Sequence, residues 1–207
     1  VAGVGVLVGL AVLALAVLVA PLGVVVLVSF DAREYIGFPP ERLSLRWYGA
    51  LWRHAQLIDA AKVSLRAALD VMLIGVALGV PAAYALVRGR FRGRTAAGAF
   101  LLAPQMMPGL VIGVAALFFG AYFAFRASHL MLVLSLGVFC LPFVIRIAMA
   151  RLAGLDPTLE EASAALGAGR LETFLRITLP QTWGAVVAAA AIVFIEAFDN
   201  VTVALFT

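Results

Sequence analysis

The chain has 207 residues, of which 65% are hydrophobic and only 13% charged, with a mean hydropathy of +1.12. That composition excludes an ordinary soluble domain. The net charge of +4 is the balance that arginine-bearing loops between membrane helices produce, so it is not read as nucleic-acid binding. The expected fold class is an all-α polytopic membrane protein. Only helices or closed barrels satisfy backbone polar groups in lipid, and these apolar runs are too long for barrel strands. The single cysteine, Cys140, rules out an intrachain disulfide; it lies within an apolar run and is read as packing.

Val1 to Phe30 carries no charge. It predicts a first membrane helix over about 3–28, long enough to cross roughly 30 Å of hydrocarbon. A cleaved signal peptide is the rival reading, weakened by excess length and by the missing basic segment. The chain starts with Val, so its natural N-terminus is expected to lie upstream. Residues 31–66 then read as an external polar loop. Pro39-Pro40 marks extended backbone, and Trp47, Tyr48 and Trp52 suit an interfacial amphipathic piece. His54 is isolated, without metal-ligand spacing.

A second helix is predicted over about 67–87, with Asp70 near its outer end. Arg88, Arg90, Arg92 and Arg94 follow without an acid. A short basic loop of this kind, 88–94, marks the cytoplasmic side. The third helix spans about 96–123 and contains Pro104 and Pro108, which permit a kink. That kink either lines a pathway or is filled by neighbouring helices. Arg126, Ser128 and His129 read as a short external turn. The fourth helix, about 130–150, contains Pro142, with Arg146 and Arg151 towards its inner end.

Residues 155–180, LDPTLEEASAALGAGRLETFLRITLP, form the one long segment that is both charged and patterned. Asp156-Pro157 is a helix start: Asp caps free backbone N–H groups and Pro is tolerated in the first turn. Glu160 and Glu161 follow where the helix dipole favours negative charge. Leu159, Ala162 and Leu166 fall on one face at helical spacing. Gly167 and Gly169 break the run, since glycine accepts the left-handed conformation. A second short helix is expected to put Leu171, Phe174, Leu175 and Thr178 on one face, until Pro180 ends or kinks it. Two short helices around a glycine turn suit a docking element between spans. Two spans separate this segment from the arginine loop, so both fall inside when the N-terminus is cytoplasmic.

A fifth helix is expected over about 183–206. It carries Glu196, Asp199 and Asn200 about 20–25 Å from the inner face, beyond the midplane. Charges there usually face a water-filled cavity or a partner. Glu196 and Asp199 are three apart and share one face. Contact with a transported cation and a polar contact between helices or subunits are both open readings. Gly75-x3-Gly79 and Gly109-x3-Gly113 suit close helix packing.

The fixed points Glu161-Ala162-Ser163, Gly167, Ile177, Leu179 and Pro180 resemble the EAA loop of ABC importer permeases, E-A-A-x3-G-x9-I-x-L-P, with Ser163 for the second Ala. The segments from Leu102 to Pro108 and around Pro142 resemble the same family, and those from Phe38 to Tyr48 and from Phe194 to Asn200 resemble its spermidine/putrescine-type branch. Ala197 stands where that branch has Ser. The resemblance implies that the helix 157–166 is a coupling helix seated in a groove of a separate ATPase, with Glu160, Glu161, Ala162, Gly167, Ile177, Leu179 and Pro180 as the coupling residues. It implies a tentative substrate pathway at Glu196, Asp199 and Asn200. It also implies a sixth helix beyond Thr207, so the sequence reads as truncated.

The expected function is therefore a single transmembrane permease domain, 1–207, of an ATP-driven importer of a small solute, a polyamine-like cation favoured. Implied partners are cytoplasmic ABC ATPase subunits, a second permease, an extracytoplasmic solute-binding protein and membrane lipid, in a cell's inner membrane. Lys62 is the only lysine and follows Ala61, so a phosphate-binding G-x4-G-K-[ST] loop is impossible and ATP must be bound elsewhere. No motif supports catalysis, a metal or another cofactor. The alternative is an ATP-independent channel or secondary transporter using Glu196 and Asp199.

Overall fold

The computed structural model describes residues 2–123 and 128–206. Arg126, expected in an external turn, lies outside the described residues. Apart from an isolated antiparallel bridge between Asp31 and Leu43, the regular structure of the described residues is helical. Among the described residues four helices are long and apolar enough to cross a membrane, and a sharply bent pair makes a fifth if it counts as one span. The all-α polytopic expectation holds.

The described chain forms two compact units, 1–60 and 61–207. The first contains helix α1, Ala2–Ser29. Its apolar side chains are exposed all round, as suits a helix bathed in lipid. The loop that follows is pinned to its end. Asp31 takes the Arg33 guanidinium at 2.7 Å through Nε, and Arg33 also reaches Glu41 at 3.0 Å. Helix α2, Arg46–Leu51, supplies Trp47, whose indole N–H donates to the Asp31 carbonyl at 3.0 Å, and Tyr48, whose hydroxyl meets that of Ser29 at 2.7 Å.

Helix α3 runs Ala55–Arg88, twelve residues earlier than expected at its start. Asp59, Lys62 and Arg66 gave that stretch a loop-like composition, but no Gly or Pro interrupts it, so the backbone stays helical. In the second unit its buried residues include Ala67, Val71, Gly75, Gly79 and Ala83, one every four positions and mostly small. That stripe packs on α6, His129–Ala153, and α9, Leu179–Phe198. The Ser128 hydroxyl caps α6 by accepting the Met131 N–H. The core is built of Val71, Leu136, Val144, Ile145, Leu152, Val193 and their neighbours.

The expected third helix is broken rather than kinked. Helix α4, Arg94–Leu102, passes into a 3-10 turn over Ala103–Met106, and α5 restarts at Gly109–Tyr122, bent by 101°. Pro108 cannot donate to the preceding turn and forces Met107 into extended backbone, φ −90° and ψ 138°. The Arg146 guanidinium donates to the Gln105 side chain at 2.9 Å, holding the break against α6.

The expected fifth helix begins earlier and ends sooner. The helical rod is continuous from Arg170: helix α8, Arg170–Thr173, then a π-turn, Phe174–Thr178, then α9. Pro180 directly follows the π-turn at the start of α9, and the rod runs on through it, so Pro180 neither ends nor breaks the rod. Helix α9 stops at Phe198, and a short α10, Val201–Ala204, follows.

Candidate functional site

The 155–180 segment folds from its own signals. The Asp156 carboxylate accepts the Thr158 N–H at 3.0 Å, and this bond holds its carboxyl below the usual carboxylate range. It starts helix α7, Thr158–Ala165. The helix closes where Gly167 takes φ +90°: its N–H donates to the Ala164 carbonyl and the Ala168 N–H to the Ser163 carbonyl, satisfying orphan acceptors. Gly169, expected to be left-handed as well, is extended at φ −71° and ψ 162°, a conformation open to any residue.

Leu159, Ala162 and Leu166 all face away from the protein body, and Leu166 is 90% exposed. Glu161 is exposed with them, while Glu160 is turned inward. The expected shared face of Leu171, Phe174, Leu175 and Thr178 does not form. Leu171 and Leu175 point outward, whereas Thr173 and Thr178 are buried and Phe174 packs on Tyr84. The wider π-turn changes the angular register between these residues, which a 3.6-residue period does not anticipate. Ile177 and Leu179 are half-buried, Leu179 against the core, and Pro180 is exposed. The named residues thus divide into an exposed set, Glu161, Ala162, Gly167 and Pro180, and an inward set, Glu160, Ile177 and Leu179.

The segment lies at the same end of the second unit as the arginine loop. Arg88 donates to the Leu155 carbonyl at 3.0 Å and pairs with Glu160 at 3.2 Å. Glu160 Oε1 also accepts the Thr178 hydroxyl at 2.9 Å. Sequence reasoning missed Arg88 and Thr178 as partners of the motif. The one available signal was the acid doublet, because adjacent helix residues point about 100° apart and so meet different surroundings.

Glu196, Asp199 and Asn200 meet at a second place. Together with Gly109, Phe139 and Thr202 they line a cavity of about 320 Å³ where α9 breaks, opposite the start of α5. Glu196 is half-buried and Asp199 is exposed beyond the helix end. The Asn200 side-chain oxygen is engaged in capping α10, accepting the Val203 N–H at 2.9 Å. Two carboxylates and no basic side chain line the cavity, so it is electronegative. At the other end of α3, His129 Nε2 lies 2.7 Å from Asp70 Oδ2. That pair joins α6 to α3, and nothing in the local sequence announces it. Among the described residues no group of three or more His, Cys, Asp or Glu is placed to hold a metal.

Residues 75–207, which contain both places, match the family described as the inner membrane component of binding-protein-dependent transport systems. The chain belongs to this family. The permease is 32% identical to the putrescine transport system permease protein PotI of Escherichia coli K12 over 91% of its length and 69% of that protein's. It is 30% identical to the spermidine/putrescine permease PotC of the same organism, over 90% and 70% of the two chains. The sulfate transport permease CysT of Salmonella typhimurium is 32% identical over 74% of this chain and 60% of its own. Among solved structures, a bacterial ABC transporter that imports alginate superposes with a TM-score of 0.70 at 16% identity, covering 96% of this permease and 71% of that chain. The MetNI methionine ABC transporter superposes with a TM-score of 0.63 at 20% identity, covering 72% of each. Both share the fold. The protein is a multi-pass inner-membrane permease subunit of an ABC importer, and the channel alternative is not favoured.

Proposed function

We propose that the permease carries a polyamine-like cation, and that it is driven through α7 by an ATPase on a separate chain. The support for docking is the exposed apolar face of α7. Leu159 is 51% exposed and Leu166 almost fully so, at the arginine-bearing end of the spans, with Glu161 beside them. Apolar side chains held in water on a charged helix need a cover. A groove of a cytoplasmic ATPase supplies one, with Glu161 as the polar anchor and Gly167 setting the angle of the turn. The arginine loop then lies in the cytoplasm, and so does the N-terminus, two spans earlier. Lys62 as the only lysine supports placing ATP hydrolysis on the partner.

A second permease, homologous or identical, would complete the pathway, a soluble binding protein would deliver the solute from outside, and residues 1–207 would act as one permease domain. ATP-driven closure of two ATPases would move α7 as a lever and rock the spans between outward-open and inward-open states.

For the cargo, relatives alone do not decide: those of similar identity are named for putrescine and for sulfate. The electronegative cavity at Glu196 and Asp199 favours a cation. The test is uptake of radiolabelled putrescine into right-side-out membrane vesicles bearing the full-length importer and its binding protein, with and without internal ATP. ATP-dependent uptake with a P-loop ATPase co-purifying is the expected result. Glu161→Arg should release the ATPase while the permease still inserts. Uptake that survives without ATP overturns the driven reading, and uptake of sulfate in place of putrescine overturns the cargo.

A further inference from the structure

The doublet Glu160-Glu161 is split between two tasks. Successive helix residues point about 100° apart, so two adjacent carboxylates on a helix lying against a membrane domain can meet different surroundings. Glu161 is the outward one. Glu160, its side chain 15% exposed, contacts two other segments. Its Oε1 accepts the hydroxyl of Thr178, which is fully buried and whose own carbonyl accepts the Thr182 hydroxyl at 3.0 Å. Its Oε2 lies 3.2 Å from Nε of Arg88, a side chain 20% exposed at the end of α3. Through Nη2 the same guanidinium holds the Leu155 carbonyl in the linker before α7. The Ser163 and Thr173 hydroxyls, 3.0 Å apart, stitch α7 to α8, and the Tyr84 ring meets Phe174 edge-on at 5.0 Å.

We propose that Glu160 is a positioning residue that transmits movement of α7 to the membrane spans, through Arg88 to α3 and through Thr178 to the base of α9. This rests on the reading of α7 as the helix an ATPase moves. Without such a tie α7 is joined to the spans by linkers containing Gly154, Gly167 and Gly169 and by the single Ser163–Thr173 hydroxyl contact. A push on it would be spent in rotating those backbones. With the tie, α7, the end of α3 and the base of α9 move together. Two features suit a joint that shifts rather than one that is fixed. The Arg88 Nε–H is buried and makes no aligned hydrogen bond, so its contact with Glu160 is an ion pair without the directional constraint of a bond. Thr178 ends a π-turn, whose irregular hydrogen bonding deforms more readily than α-helix and which is frequent at functional sites.

The experiment uses the assembled importer of full-length chains in proteoliposomes, reading putrescine uptake and ATP hydrolysis on the same preparation. Glu160→Ala should keep the ATPase bound and hydrolysis within about twofold of wild type, while uptake per ATP falls tenfold or more. Glu160→Arg alone should fail in the same way, and adding Arg88→Glu should restore at least a third of the ratio. Thr178→Val keeps the buried shape and removes the hydroxyl; it should lower the ratio and decides the matter if Glu160→Ala does not assemble. An assembled Glu160→Ala or Thr178→Val complex with an unchanged ratio overturns the proposal. So does loss of the ATPase from Glu160→Ala when Glu161→Arg retains it, since the two roles would then be exchanged. Wild-type complexes that bind no ATPase overturn the docking reading itself before any variant is compared.

Discussion

A Cβ placed on Gly79 would lie 2.8 Å from Cβ of Val144, closer than packed carbons approach. The backbone of α3 therefore rests directly on α6 at this point, and Val144 is completely buried by it. One position earlier on the same stripe, a Cβ on Gly75 would find Val144 at 3.6 Å and Val193 at 3.8 Å, ordinary contact. Gly79→Leu should overpack the helix pair by about 1–3 kcal/mol, whereas Gly75→Ala should be near neutral. Thermal unfolding of the two variants in one detergent checks this. Equal melting temperatures would mean that the close approach at Gly79 does not hold in the membrane protein as purified.

The spacing Gly75-x3-Gly79 was legible in the sequence because small residues at i and i+4 share a helix face. The helix on the other side was not, since that depends on α6 meeting α3 in three dimensions. The same limit recurs. The uncharged run of α1 and the long apolar run of α6 announce themselves. Asp156, α7 and Gly167 could be read from capping chemistry alone. The prolines at 104 and 108 indicated a bend, but the 101° break is set by what α4 and α5 pack against. The π-turn at Phe174–Thr178 has no periodicity signal and displaced the expected face. Glu160 was visible as a charge in the motif, yet its partners Arg88 and Thr178 come from other elements, so its inward role was hidden.

Gly167 and Gly169 look alike in sequence and differ in backbone. At φ +90° a β-branched residue in place of Gly167 is strained by about 1–2 kcal/mol or more. Gly169 is extended. Gly167→Val should therefore misdirect the turn after α7 and lower ATP-driven uptake severalfold while membrane insertion continues. Gly169→Ala should leave uptake close to wild type. The comparison is made on vesicles with matched permease content. Equal uptake by the two variants would show that the angle after α7 does not matter for transport.

The loop after α1 carries a pH dependence of defined sign. The Arg33 hydrogen bond holds the Asp31 carboxyl below its usual range. A depressed native pKa gives a contribution that is complete above the unfolded value of about 4 and is lost as pH falls through the lowered native value. Trp47 reports on it, since its indole N–H donates to the carbonyls of Asp31 at 3.0 Å and Arg33 at 3.2 Å. With Trp52→Phe and Trp183→Phe in place, Trp47 is the remaining one of three tryptophans. Its emission should stay constant from about pH 8 to about pH 5 and shift only below about pH 4. Asp31→Asn should show the shifted emission throughout. A transition near neutral pH would assign control of the loop to another group.

The cavity at the break of α9 separates three residues that look equivalent in the sequence. Asn200 is committed to the α10 cap. Its replacement by Ala should destabilise that turn by about 1 kcal/mol, and Asn200→Asp, which preserves a capping oxygen, should largely keep it. Glu196 and Asp199 line the cavity together. If they receive a cation, Glu196→Gln and Asp199→Asn each remove one charge-assisted bond, about 1.5–3 kcal/mol, or a tenfold to hundredfold rise in the KM of putrescine uptake. The ATPase rate without cargo should not change, because the cavity is far from α7 along the α9 rod. Asn200→Asp serves as the contrast: it adds a negative charge to the same cavity and should not weaken a cation's uptake. A KM unmoved by both acid variants would leave the cavity as a packing defect of the helix break and would place cation selection elsewhere in the importer.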